Sequence, residues 1–288
     1  MGFVNAFKPA GMTSAQMGAR VRRAFGPRSG PKLPIGHLGT LDPDAVGVLP
    51  LAVGKATRLL PLIEDRRKAY AFVLSLGRST TTGDGAGDTV RVGAIPADAE
   101  ALLHAACGRF VGPFMQVPPM FSALHHGGRR LYDLARAGET VERKARRITI
   151  YDLRVLGFEG NEARMRVACT EGTYVRTLCE DLGDAIGTPA HLGALVREAS
   201  GPFVLYESVM LDEIERAPHD VLVSPDRVIP FPTIVLDGRN TADFRAGRMV
   251  PLPTGAANRH VFVRDSSRTL VGVGEALGAL LAPRKVFV

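Results

Sequence analysis

Three segments of this 288-residue chain carry a period of two in their side chains, which places them as half-buried strands rather than helices. Tyr70, Phe72, Leu74 and Leu76 share one parity, with Ala71, Val73 and Ser75 on the other. The same spacing recurs over Arg147–Phe158 and over Ala163–Cys169, where Ala163, Met165, Val167 and Cys169 oppose Arg164 and Arg166. GFEGNE between the last two makes them a hairpin. Phe3–Phe7 and Val46–Val53 read as further strands. The first of these leads through KPAGM into a helix capped by Thr13 or Ser14, with Met17, Val21 and Phe25 on its apolar face. Further helices are expected at Lys55–Ile63, Ala97–Cys107, Arg130–Ala137 and Thr173–Ile186, the last with Thr173 as N-cap. The pattern is α+β, built around antiparallel strands. Prolines crowd Ser224–Pro232, and the short strand-like runs Thr233–Leu236, His260–Arg264, Thr269–Val273 and Lys285–Val288 follow. Two domains are therefore expected, residues 1–232 and 233–288.

Several function classes drop out. No apolar run approaches the roughly 18 residues of a membrane span, and MGFVNAFKPAG is not a secretory leader, so a cytoplasmic protein is expected. Gly2 does not open a myristoylation motif, because Ala6 stands where Ser or Thr is needed. Cys107, Cys169 and Cys179 are too few and too scattered for a disulfide framework or a zinc site. TGDGAGD lacks the closing Glu of a calcium loop, and His125-His126 lacks a zincin partner. There is no Walker or dinucleotide glycine motif. The net charge of +7 divides into +10 over residues 1–150 and −3 over the rest. Clusters such as Arg66-Arg67-Lys68 and Arg143-Lys-Ala-Arg-Arg147 suit a polyanion, or else are solvated faces of unrelated loops.

Within that basic half lies GHLGTLDPDAVGVLP, Gly36 to Pro50, where Asp42 sits among glycine, proline and aliphatic residues. Asp44 follows it, but two carboxylates so close in one loop are a poor platform for glycosidase chemistry. The helix expected at Thr173–Ile186 poses a second puzzle, because Arg176 falls in its first turn, where the helix dipole disfavours a cation. Either Arg176 meets a carboxylate, for which Asp42 is the orphan candidate, or it reaches out to solvent.

KPAGMTS, GHLGTLDPDAVGVLP with KATRLL, KAYAFVLSLG, TTTGDGAG, QVPPMFSALHHGGRRLYDLARAG, VACTEGTYVRTLCEDLG and HLGALVREASGPF stand in one order across residues 3–205. In these blocks the chain resembles the bacterial TruB family of tRNA pseudouridine synthases, and its tail resembles a PUA-type RNA-binding module. The resemblance implies a pseudouridine synthase fold, a central mixed and mainly antiparallel sheet flanked by helices, with a small β-rich PUA-like C-terminal module. It implies isomerisation of uridine 55 in the tRNA T-loop, with no cofactor and no metal. Asp42 matches the essential aspartate, which either attacks the ribosyl–base system or accepts a proton from it. Arg176 matches its arginine partner, Tyr70 a tyrosine that stacks on the uracil, and Tyr174 and Leu195 residues lining the pocket. His37 matches a histidine that engages the loop around the flipped base, and Arg58, Arg130 and Arg136 are expected to meet phosphates. Glu171 departs from the basic or small residue common in relatives, and GPRSGPKLP before Gly36 is longer than in many of them.

Three readings follow: a stand-alone synthase, an RNA-binding or RNA-folding protein with secondary catalysis, and a guide-dependent synthase. Asp42, Tyr70 and Arg176 together disfavour the second, and the short tail disfavours the third. The expected partner is tRNA, met by a monomer without guide RNA or protein.

Overall fold

The computed structural model describes residues 1–26, 31–122, 124–252 and 259–287, and the side chains of His125, His126, Arg130 and Arg136 lie outside the described set. The main sheet draws on β1 (Gly2–Lys8), β2 (Ile35–His37), β3 (Val46–Val53) and β4 (Lys68–Leu76). A small ribbon, β5 (Arg78–Thr80) and β6 (Thr89–Val92), follows, then β7 (Gly112–Gln116) and a hairpin of β8 (His125–His126) and β9 (Arg129–Arg130). β10 (Arg146–Glu159), β11 (Glu162–Cys169), β12 (Ala190–Ser200) and β13 (Phe203–Val204) complete the first part. The strand order is β1-β3-β12-β4-β11-β10-β7, with β2 added to β3 and β13 to β12. The α+β architecture and the β10–β11 hairpin agree with the alternation of the sequence.

Register explains the burial. Tyr70, Phe72 and Leu74 of β4 stand opposite Val167, Met165 and Ala163 of β11, and Arg197 and Leu195 of β12 stand opposite Tyr70 and Phe72. One face of the sheet therefore collects the large side chains. It is covered by α2 (Ala99–Phe110) through Leu103, Ala106 and Cys107, and by α4 (Val175–Ala185) through Leu178, Cys179 and Leu182. The first helix, α1 (Ser14–Phe25), is capped by Thr13, whose hydroxyl accepts from the Gln16 amide while the Gln16 side chain accepts from the Thr13 amide. A one-and-a-half-turn helix, α3 (Leu131–Arg136), lies in the segment between β7 and β10. Lys55–Ile63, expected as a helix, is a 3₁₀ helix over Gly54–Leu62 with Pro61 inside it. No helix among the described residues is long and apolar enough to cross a membrane.

A second sheet begins at β14 (Thr233–Val235) and includes β15 (Val250–Pro251), β16 (His260–Arg264), β17 (Leu270–Leu277) and β18 (Leu280–Val286), in the order β14-β16-β17-β18-β15. It does not hang free. Phe262, Leu270, Val273 and Phe287 share one buried cluster with Phe3, Leu38, Val48 and Leu59 of the first part.

The two halves of the main sheet meet where β3 and β12 run parallel through only Val46–Val196 and Gly47–Arg197. Gly47 has φ of +107°, and a Cβ there would stand 2.4 Å from the Arg197 carbonyl oxygen. Gly160, at φ +60°, faces open space. Gly47→Ala is expected to cost at least about 3 kcal/mol, against about 1 kcal/mol for Gly160→Ala. Urea denaturation of the two variants checks this, and equal midpoints would contradict the close approach at the β3–β12 join.

Candidate active site

The loop between β2 and β3 has few side chains able to satisfy its own backbone, so its carbonyls are taken up by groups from elsewhere. Leu38 O accepts from Lys68 Nζ at 3.2 Å and from the Ser200 hydroxyl at 3.1 Å. Gly39 O and Thr40 O accept from the two terminal nitrogens of Arg197, each at 3.1 Å, while Arg197 Nε donates to Val48 O at 2.7 Å. Ser14 Oγ donates to Leu41 O and accepts from the Leu41 amide. Pro43 O accepts from Lys8 Nζ at 2.8 Å and from the Gly11 amide at 3.0 Å. Lys8 also donates to Pro9 O and Met12 O, so its three protons are all used.

These cations are deep. Lys8 has no exposed surface, and burial pushes its pKa down to about 8 against the opposing pull of Asp44 and Asp42. Lys68 falls to about 8 for the same reason, with the Arg197 charge adding to the effect. Arg197 itself is 1% exposed.

With the backbone held, the Asp42 side chain turns to Arg176, whose Nε lies 3.0 Å from Asp42 Oδ2. The partners are unequal: the Arg176 side chain is 6% exposed and that of Asp42 42%. The carboxylate is open to solvent on one side, and the guanidinium is the buried member. Arg176 also donates to Thr82 O at 2.9 Å and Phe121 O at 2.8 Å, and Asp84 Oδ2 stands 3.9 Å from its Nε. Asp84 is tied into its own loop, its Oδ1 accepting from the Thr82 hydroxyl and the Ala86 amide. Arg176 thus joins three loops at one point, which offsets the dipole penalty of its first-turn position.

The pair opens on a cavity of about 680 Å³ lined by Asp42, Ala45, Asp84, Phe121, Arg176 and Leu195 among others. That is room for one nucleotide. Tyr70 is not on its wall: it is buried in the cluster that holds Leu41 and Ala45, and burial raises its pKa to about 12. Tyr174 is half-buried at the start of α4, and His37 is exposed at the end of β2. The protein around the imidazole, and then the Arg197 charge, hold His37 below its ordinary pKa. The expected contacts of Arg130 and Arg136 lie outside the described side chains.

One expectation is corrected here. Thr173 does not cap α4: its hydroxyl donates to Thr170 O, and Tyr174 is the N-cap residue, its amide donating to the Gln116 side chain. Arg58 is exposed, donates to Val286 O at 2.5 Å through one terminal nitrogen and lies 5.6 Å from the centre of the Phe287 ring. It fastens the second sheet to the first part. Lys8, Asp84, Gln116 and Arg197 were not singled out from the sequence as site residues, Ser14 was read only as a possible helix cap, and Lys68 only as part of a basic cluster. The signal for two of them was parity, since Lys68 and Arg197 occupy buried-face positions of strands that otherwise present large apolar groups there. Among the described residues no cluster of three or more His, Cys, Asp or Glu could hold a metal.

The sequence model of the TruB family pseudouridylate synthase N-terminal domain matches residues 22–175, more than half of the chain. The chain belongs to the TruB family of pseudouridylate synthases. It is accordingly an isomerase. The tRNA pseudouridylate synthase B C-terminal domain model matches residues 176–224. Relatives named tRNA pseudouridine synthase B include one from Burkholderia mallei, 39% identical over 98% of this chain and 95% of its own length. Another, from Pseudomonas putida, is 38% identical over 97% of this chain and 93% of its own. Among solved structures, a Cbf5-Nop10-Gar1 complex gives a TM-score of 0.66 at 25% identity, covering all of this chain and 85% of that one. An H/ACA RNP bound to a substrate RNA containing 2′-deoxyuridine gives the same TM-score at 24% identity and shares the fold.

The position of Arg58 within this TruB chain yields a test. Arg58→Ala is expected to lower stability by about 1–2 kcal/mol, through loss of one charged hydrogen bond and one cation–π contact. The slope of log affinity for tRNA against log salt should not change, whereas loss of a phosphate contact would reduce it by about one. A reduced slope with unchanged stability would place Arg58 on a phosphate instead.

Proposed function

We propose that this chain converts uridine 55 in the T-loop of tRNA to pseudouridine, with Asp42 as the one catalytic carboxylate. The observation that carries the reading is the half-exposed Asp42 carboxylate, held by the buried Arg176 guanidinium at the mouth of a nucleotide-sized cavity. Membership of the TruB family and relatives named tRNA pseudouridine synthase B support the substrate class.

The reaction exchanges one bond for another. The C1′–N1 glycosidic bond breaks, C1′ bonds to C5, and the hydrogen leaving C5 is balanced by one gained at N1. A single carboxylate suffices, because it attacks or accepts a proton and is released unchanged. The role of Arg176 is to keep that carboxylate aimed. The target base lies within a stacked T-loop and must be extruded, at a cost of a few kcal/mol. Leu195 supplies an apolar wall for it. Stacking on the uracil is the role that the family match implies for Tyr70. His37 meets the displaced loop, where an imidazole held below its ordinary pKa suits stacking better than phosphate pairing, and Tyr174 lines the pocket with Leu195.

Arg130 and Arg136 meet the RNA backbone from the segment between β7 and β10, and the C-terminal sheet extends the RNA surface as a PUA-like module. The enzyme works in the cytoplasm as a monomer, with no guide RNA or protein partner. The likeness to H/ACA complexes favours a guide-dependent reading only through the fold, at 24–25% identity. The tRNA enzymes named above are much nearer in sequence, at 38–39%.

Pseudouridine mapping on a T-arm RNA incubated with the purified protein alone tests the reading. One modified position, the T-loop uridine, is expected. Asp42→Asn should lower the rate at least about 1,000-fold while leaving RNA affinity within a few-fold. Modification only after a guide RNA is added, or a variant retaining more than about a thousandth of the rate, would overturn it.

A further inference from the structure

Helix α4 must hold Arg176 in place from its weakest part. Arg176 is the second residue of the helix, and neither Thr173 nor Tyr174 provides a side-chain cap. The first turn is secured from 58 residues away in sequence, by the amide of Gln116. Its Oε1 accepts from the Tyr174 amide at 2.8 Å, and its Nε2 donates to Tyr174 O at 3.1 Å. Gln116 is 2% exposed, so water cannot replace it readily.

Gln116 is also the last residue of β7, where the chain leaves the sheet for the segment that carries Phe121 and α3. Five residues on, Phe121 O accepts from the same guanidinium that holds Asp42. One amide therefore fixes two things to each other: the helix turn that carries Arg176, and the root of the segment that takes one of its hydrogen bonds. A shift at either end would change the direction of Nε toward Asp42.

We infer that Gln116 is a positioning residue, holding the Asp42–Arg176 pair in line through the first turn of α4. The inference rests on the proposed role of that pair. The amide suits the task because it offers one acceptor and one donor to a backbone amide and carbonyl at once. A methionine fills similar space and leaves both backbone groups without it. A glutamate keeps the acceptor but offers the donor only when protonated.

Two measurements decide the inference. In single-turnover assays on T-arm RNA, Gln116→Met should slow the reaction about a hundredfold, the scale of an ångström-sized misplacement, with affinity unchanged. Gln116→Glu should recover part of that loss as pH falls and its carboxyl takes up a proton. In an Arg176→Lys background, where there is no fork left to aim, Gln116→Met should cost less than about twofold. The second readout needs no RNA: the Arg176 Nε–H nuclear magnetic resonance signal of free protein labelled with ¹⁵N-arginine. It should be slowly exchanging in wild type and in Arg58→Ala, and broadened or lost in Gln116→Met. A signal in Gln116→Met like that of wild type would overturn the inference, as would a hundredfold loss that persists in the Arg176→Lys background. If the wild-type protein fails to modify T-arm RNA, the proposed substrate falls, and the resonance still decides the role of Gln116.

Discussion

The structure turns on a backbone that cannot satisfy itself. From Leu38 to Pro43 the chain is built of residues chosen for shape, and nearly every carbonyl it presents is met by a hydroxyl or a cation from a distant element. Unmet, each buried carbonyl would cost about 1–3 kcal/mol. Lys8, Lys68 and Arg197 remove that cost and incur their own, as the fall of both lysines to about 8 shows. Such an arrangement is poor as a stabilising device and good as a fixture. It leaves Asp42 as a charged group whose backbone cannot drift.

The same economy alters the meaning of the basic N-terminal half. Much of its charge is already in use. Lys8 and Lys68 face inward, Arg66 and Arg67 pair with Glu171 and Asp65, Arg91 pairs with Asp184, and Arg129 pairs with Glu139. Arg58 belongs to the joint with the second sheet. A charge count thus overstates the surface available to a polyanion, and solvated or internal pairing accounts for several of the clusters.

How far the sequence could be read depended on whether the signal was local. Side-chain parity along β4 and β11, and the four-residue recurrence of Met17 and Val21, are local and were legible. So was the oddity of a first-turn Arg176, from which its pairing with Asp42 follows in the structure. The Leu270–Leu277 and Leu280–Val286 hairpin was only half read, as its turn-side halves are rich in Gly, Ala and Leu and lack β-branched residues. Thr173 was misread as a cap because a nearer acceptor, Thr170 O, takes its hydroxyl. The grips of Arg197 on Gly39 and of Gln116 on Tyr174 join residues 58 or more positions apart, and no periodicity announces such pairs. Arg58 was legible as a cation but not as one facing a neighbouring sheet.

The central claim rests on the proposed role of Asp42: the buried fork of Arg197, which is not among the residues lining the cavity, keeps that carboxylate in place by holding Gly39 and Thr40. Its most direct test is the single-turnover rate of pseudouridine formation by the folded fraction of Arg197→Lys, a change that keeps the charge and removes the planar fork. The account requires a fall of about tenfold or more with RNA affinity intact. A wild-type rate in the folded variant would contradict it, and would mean that Asp42 needs no more than its contact with Arg176.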